Sequence, residues 1–230
     1  MKNFILDERE SKGSMKEQVH YIILRILRTL DSICKKHEIN YWLDYGTLLG
    51  AIRHKGFIPW DHEADIGMLR TDFKKLLNVI KEELPDDLFF QCRESDPFYT
   101  SHLLIEGKIR DRFSNYIDYY EKEKCKWHNG IQVDIFVYDI DPEMEECISN
   151  SFERYFSEGN INLTFEEISH TIDKEFEGFN FPVPIGFDSY LKKAYGDYLI
   201  LPPEESQIFP KIDTLIPCNH PEAKAWDHKI

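Results

Sequence analysis

Apolar residues recur along one stripe from Val19 onward: Val19, Ile22, Ile23, Ile26, Leu27, Leu30 and Ile33 fall at helical spacing. Ser14-Met15-Lys16-Glu17 has capping-box spacing just ahead of the stripe, so a helix is predicted from there to about residue 37, ending near Asn40. Residues 41–44 are a short aromatic and apolar run that reads as a strand. Gly46-Thr47 then opens a turn or short helix carrying Leu48, Leu49 and Ile52. A strand follows over 64–69. Asp72 is placed to cap a second helix through about residue 83, with Phe73, Leu76, Leu77 and Ile80 inward, and Pro85 ends it.

Residues 88–92 and 102–110 read as two further strands, and the tyrosine-rich stretch 113–123 as a strand edge or a loop. Over 131–138 the period is two. Ile131, Val133, Ile135 and Val137 lie on one face, and Gln132, Asp134, Phe136 and Tyr138 on the other. After Pro142 the pattern turns helical to about residue 155, and a second helical stretch is expected over 164–174. Pro182 and Pro184 mark a loop. Asp188 caps a short helix over 189–195, which Gly196 stops. The pattern predicts an α/β (α+β) fold with a mixed sheet flanked by helices. Its expected parts are a tail over 1–13, one domain over 14–203 and an irregular tail over 204–230. Within the domain the core spans about 41–140 and a helical C-terminal part about 141–203.

Length and composition agree with this picture: 230 residues at 42% hydrophobic and 14% aromatic can fill one sizeable core. No apolar run approaches the ~20 residues that span a bilayer. The start MKNFILDERESKGSMK is charged where a signal peptide would be apolar, so secretion by that route is not expected. A net charge of −14 argues against nucleic acid as the main partner, because phosphate backbones call for a basic surface. Cys34, Cys92, Cys125, Cys147 and Cys218 are odd in number and form no C-x-x-C pair, which fits reduced thiols in the cytoplasm.

The chemistry gathers in residues 41–70. Asp61, Glu63 and Asp65 alternate, so an extended chain puts all three carboxylates on one face. Three adjacent acids repel one another unless something neutralises them, and a hard divalent cation, Mg2+ or Mn2+, is the usual agent. A solvated acidic loop is the plainer alternative, against which stand the neighbours Trp60, Ile66 and Met68. Asp134, inside a buried-looking strand, needs a partner of its own. A metal shared with the first acids supplies one, and an ion pair with a lysine or arginine supplies another.

Gly46 lets backbone N–H groups approach phosphate oxygens closely, and the Thr47 hydroxyl adds a donor. Arg53, His54 and Lys55 make a basic spot in an acidic chain, with Arg53 suited to bidentate phosphate contact. Lys108, Arg110 and Arg112 alternate and could form a second phosphate-facing row. Trp42, Tyr45, Tyr116, Tyr119, Tyr120 and Trp127 permit an aromatic cage for a quaternary ammonium, although each singly reads as packing.

Gly46-Thr47, Glu63-Ala64-Asp65 and Asp134 together resemble the nucleotidyltransferase superfamily typified by DNA polymerase beta: a glycine and Ser or Thr on a turn, two acids one residue apart on a strand, a third acid on a later strand. The wider segment GTLLGAIRHKGFIPWDHEADIGM, residues 46–68, resembles the signature of the LicD family, which includes the fukutin-related proteins. GIQVDIFVYD at 130–139 and YLKKAYGDYLILPP at 190–203 agree with it, so the likeness covers roughly residues 20–203. One position departs. The middle acid of the family's D-x-D-x-D pattern is here Glu63, one methylene longer, in a site where magnesium demands near-ideal geometry.

The resemblance implies a nucleotidyltransferase-like sheet and a metal-dependent phosphotransferase. Such an enzyme moves phosphocholine, or a similar phospho-alcohol such as ribitol phosphate, from a CDP-linked donor to a cell-surface glycan. It implies Glu63, Asp65 and Asp134 as catalytic metal ligands, with Asp134 near the acceptor hydroxyl. Gly46, Thr47, Arg53, Lys55 and Asp61 then contact substrate or orient its neighbours. Peripheral contact at the inner face of the membrane follows if the acceptor is lipid-linked. Two other readings stand beside it: a glycosyltransferase using D-x-D on a nucleotide sugar, and a degenerate, non-catalytic binding protein marked by Glu63.

Overall fold

The computed structural model describes residues 5–115, 127–156 and 161–209. The first helix, α1 (Met15–Lys36), has the expected capping box: the Ser14 side chain accepts the Glu17 N–H at 3.2 Å, and Glu17 accepts the Ser14 N–H at 2.7 Å. Its apolar stripe is fully buried and packs on the central strands. Then come β1 (Trp42–Leu43), α2 (Tyr45–Arg53), β2 (Ala64–Leu69), α3 (Arg70–Glu83), β3 (Leu88–Gln91), β4 (Gly107–Asp111) and β5 (Gln132–Ile140). These strands form a mixed sheet in the order β1-β2-β5-β4-β3, in which only the β2–β5 pair is parallel. The connection from β2 to β5 carries α3, which packs on the same strands.

Register assigns each strand residue to a face, since paired residues point the same way. Ala64, Ile66, Met68, Ile109, Val133, Ile135 and Val137 share the face buried under α1 and α3. The opposite face carries the polar residues.

Two sequence expectations change in this half of the chain, and a third is not reached by the described residues. Asp72 does not cap α3: the helix starts at Arg70 with Leu69 as its cap, and Asp72 lies in the first turn. There its carboxylate accepts the Asn40 N–H at 3.2 Å and Lys75 Nζ at 2.8 Å, a good place for negative charge near a helix N-terminus. The strand expected over 102–110 is a 3-10 turn over Ser101–Leu103 followed by β4. The stretch expected as strand edge or loop over 113–123 lies mostly outside the described residues.

The largest change is C-terminal, where the part expected to be helical holds strand and helix in similar measure. The region holds β6 (Cys147–Ser149), α4 (Ser151–Phe156), β7 (Leu163–Thr164), β8 (Thr171–Phe176), β9 (Phe179–Pro184) and α5 (Phe187–Tyr195). β6 and β7 extend the end of β5. The segment expected as a helix over 164–174 instead feeds a hairpin, β8–β9. Glu177 (φ 51°) and Gly178 (φ 77°) form its two-residue turn, and Phe176 pairs with Phe179. Two positive φ values match the right-handed twist of the strands, and glycine adopts one without strain. Phe176, Phe181 and Val183 then enter the core beside β1 and α2. The Phe-Glu-Gly-Phe turn at 176–179 is what makes this segment a hairpin rather than a helix.

Candidate functional site

The site begins at the β1–α2 corner. Asp44, fully buried, caps α2: its carboxylate accepts the Tyr45 N–H at 2.9 Å, and its own N–H donates to the Asp65 carbonyl at 3.0 Å. Tyr45 has φ 40°, a left-handed conformation that is costly for a side chain this large. It is held by ring packing on Phe136 and Phe152 and by a 2.9 Å bond from Asn150 Nδ2 to its hydroxyl. Gly46 follows. A Cβ there would lie 2.9 Å from Asp61 Oδ2 and in ordinary contact, 3.8 Å, with Asp65 Oδ2, so glycine is what lets the Asp61 carboxylate come this close to the turn. The buried Thr47 hydroxyl accepts the Asp65 N–H at 2.7 Å, which ties the turn to the acid strand. The turn that was read as a phosphate cradle is thus also the support of Asp65.

Register builds the rest. Asp65 on β2 is the direct partner of Asp134 on β5, Asp134 is the partner of Lys108 on β4, and Lys108 of Gln91 on β3. Four polar side chains therefore stand side by side across four strands, about 4.8 Å apart. A second row lies one step away: Phe89, Arg110 and Gln132 are register partners. Glu63, just ahead of β2, extends it by accepting Gln132 Nε2 at 3.3 Å.

Lys108 Nζ donates to both Asp134 oxygens at 2.6 Å, with both side chains buried. Of the two partners open to Asp134 from the sequence, the structure thus contains the ion pair. Arg110 is also taken, donating to Gln91 Oε1 at 2.5 Å and to the Gly130 carbonyl at 2.7 Å. Arg112 donates to the Leu88 carbonyl and packs on the Phe89 ring, so the expected row of three phosphate-facing cations is not formed. In the second row Arg110 Nη2 and Gln132 Oε1 are buried without a hydrogen-bond partner among the described residues, in side chains only 1% and 5% exposed. Buried polar atoms left open are rare, and here they border the acids.

The carboxylates are poorly compensated. Burial pushes Asp65 well above the usual carboxylate range, and the charges of Glu63, Asp134, Asp61 and Asp44 add to it. Glu63 is pushed up to about 7 by burial and Asp134, with Lys108 opposing. Burial raises Asp61, partly offset by the His62 N–H that it accepts at 2.9 Å. Burial lowers Lys108, and Asp134 resists that. These all-oxygen donors suit a hard cation, whose charge would remove the repulsion. Among the described residues, no three His, Cys, Asp or Glu side chains converge as placed into a ligand set. Asp61, Glu63 and Asp65 are held by no ion pair among the described residues.

Arg53 and Lys55 do not join the acids. Arg53 Nη1 donates to the Tyr198 carbonyl at 2.8 Å and anchors the segment after α5. Lys55 is an exposed residue with φ 56°, whose carbonyl accepts the Glu177 N–H of the hairpin turn at 2.9 Å. Of the candidate cage residues, Trp42 packs on Tyr138 and Tyr45 is half-buried against the core, while Tyr116, Tyr119 and Tyr120 fall outside the described residues. Three neighbours were not singled out from sequence as site residues. His20 Nε2 bonds the Asp61 carbonyl at 2.7 Å from α1. Gln132 meets Glu63. Tyr195, at the end of α5, lies near enough for the charges of Asp65, Asp44 and Asp61 to act on its phenol. The alternation that marked Asp134 also placed Gln132 on its face, and Tyr195 lies within the 190–203 segment that agrees with the family; His20 carried no local signal.

Comparison with known proteins bears on this geometry. The family model described as LicD/FKTN/FKRP, nucleotidyltransferase domain, matches residues 38–185. The lipopolysaccharide cholinephosphotransferase LicD of Haemophilus influenzae is 27% identical over 253 aligned residues, which cover 85% of this chain and 95% of that protein. An uncharacterized protein of Rickettsia prowazekii is 24% identical over 140 residues, 53% of this chain and 52% of that protein. Human ribitol 5-phosphate transferase FKRP is 32% identical over 59 residues, 26% of this chain and 10% of that protein.

Proposed function

The chain belongs to the LicD/FKTN/FKRP nucleotidyltransferase-domain family, and from that premise we propose that it transfers a phospho-linked alcohol from a CDP-linked donor to a surface glycan or its lipid-linked precursor, with a divalent cation. It is a phosphotransferase of the LicD type. Phosphocholine is the favoured group, because the relative aligned over nearly its whole length is a cholinephosphotransferase. The observation that carries the reading is the register pairing of Asp65 with Asp134, flanked by Glu63, above a turn where Gly46 admits the Asp61 carboxylate.

Bound there, a divalent cation would supply positive charge to the donor diphosphate and acidify an acceptor hydroxyl. Glu63, Asp65 and Asp61 are the residues to hold it. Thr47 and Asp44 keep Asp65 in place through its backbone N–H and carbonyl. Lys108, already at Asp134, and the open Arg110 Nη2 offer positive charge to phosphate oxygens. No helix among the described residues is long and apolar enough to cross a membrane, so a lipid-linked acceptor would be met at the bilayer surface.

The test is nucleotide release from CDP-choline, CDP-ethanolamine, CDP-ribitol, CDP-glycerol and a UDP-sugar, each with Mg2+, Mn2+ or EDTA. Metal-dependent CMP release from one CDP compound, with a glycan fraction as acceptor, supports the proposal. Release of a nucleoside diphosphate instead means a glycosyltransferase. The occupied Asp134 is the observation that favours a non-catalytic binding protein, which predicts no release from any donor.

A further inference from the structure

We propose that Lys108 supplies the second positive centre of this site, so that the chain holds one divalent cation, on the Asp65 side, and none at Asp134. The inference rests on the metal-dependent reading above and says how that metal site is built.

The polar row is divided in two. Asp134 gives both carboxylate oxygens to Lys108 Nζ at 2.6 Å. Asp65, its register partner, receives no hydrogen bond on its carboxylate from the described residues, and the Glu63 carboxylate receives only the long bond from Gln132. One side of the row thus already carries its cation, and the other carries carboxyl groups with no cation beside them.

Lys108 is poorly placed to give way. It is the second residue of β4, between β3 and β5, and its side chain is 5% exposed. Its other row neighbour, Gln91, offers no alternative: Gln91 Oε1 accepts Arg110, and Gln91 Nε2 donates to Asp96 and to the His128 carbonyl. A cation taking Asp134 would leave a buried ammonium with no other described partner, and an unpaired buried charge is strongly destabilising. A cation on Asp65, Glu63 and Asp61 displaces no ion pair. An ammonium has three N–H groups, so the two spent on Asp134 leave one for a phosphate oxygen lying between the two centres.

The experiment counts Mn2+ per chain by the electron paramagnetic resonance signal of the free ion. The full chain is titrated in the presence of CMP, so that nothing turns over. One Mn2+ is expected in the wild type. Lys108→Met frees Asp134, and two are expected. Lys108→Met/Asp134→Asn removes both charges, restores a foldable pair if the single variant is unstable, and should bind one. Two ions in the wild type, or one in a Lys108→Met variant with a native circular dichroism spectrum, overturns the inference while leaving a metal enzyme. No Mn2+ in the wild type overturns the metal reading and this inference together.

Discussion

The Thr47 hydroxyl oxygen accepts the backbone N–H of Asp65 at 2.7 Å, across 18 residues of sequence. The glycine turn and the acid strand are therefore one unit. Thr47→Val keeps the shape and removes the acceptor, which leaves the Asp65 N–H unmatched. A loss of about 1–3 kcal/mol in urea unfolding is expected, with lower CMP release, while Thr47→Ser retains both. Equal stability of the Val and Ser variants would show that the bond holds nothing in place.

Asp65 and Asp134 are paired in register yet should respond oppositely to neutralisation. Without metal, Asp65→Asn relieves repulsion from Glu63, Asp134 and Asp61, and stability should hold or rise by about 1 kcal/mol. Asp134→Asn strands the buried Lys108, at an expected cost of about 3–5 kcal/mol. Both variants should release CMP at least ~100-fold more slowly. Chemical denaturation of the metal-free proteins decides between opposite and equal signs.

Gly46→Ala adds a Cβ 2.9 Å from Asp61 Oδ2. Asp61 must retreat or the turn must shift, so the variant should stay folded and bind Mn2+ at least several-fold more weakly. Wild-type affinity by calorimetric titration would remove Asp61 from the site.

A buried proton makes stability pH-dependent. The Tyr138 oxygen lies 2.8 Å from Asp44 Oδ2 and 3.1 Å from Glu153 Oε1. Tyr138 has one hydrogen to offer two acceptors, so a proton on one of these acids relieves their repulsion. Glu153 is that acid: burial and the Asp44 charge push it up to about 8. Its folded value lies above the unfolded one, near 4.5, so the native state holds an extra proton between them. This contribution is fully present below the unfolded value and is lost as pH rises through about 8. The slope is about 1.4 kcal/mol per pH unit for one proton. Asp44 and Glu63 shift in the same direction, so the measurement is a difference: metal-free Glu153→Gln should lose part of the decline between pH 5 and 8. Parallel wild-type and variant curves would assign the proton elsewhere.

Arg53 tests the C-terminal anchor. Its guanidinium holds the Tyr198 carbonyl, so Arg53→Ala should expose the chain near 198–203 to limited proteolysis while the sheet keeps its thermal transition. An unchanged cleavage pattern would return Arg53 to the substrate role read from its sequence neighbourhood.

The periodicity of single segments determined α1, β2 and β5 closely, because a helix stripe or a strand alternation is written within a dozen neighbouring residues. The acids at 61, 63, 65 and 134 were legible for the same reason, and the 46–68 signature carried the family. Tertiary structure decided what those acids face. Lys108 could be read only as one of three alternating cations, yet β4–β5 register sets it against Asp134 and leaves Asp65 open. Arg53 reads as a phosphate ligand until the chain returns at Tyr198. The β8–β9 hairpin displaced a helix because its phenylalanines gain core contacts with β1 and α2 that no local propensity records. Local pattern reports how a segment buries itself. Which charge meets which depends on strand register and chain return, and those are set by packing across the whole domain.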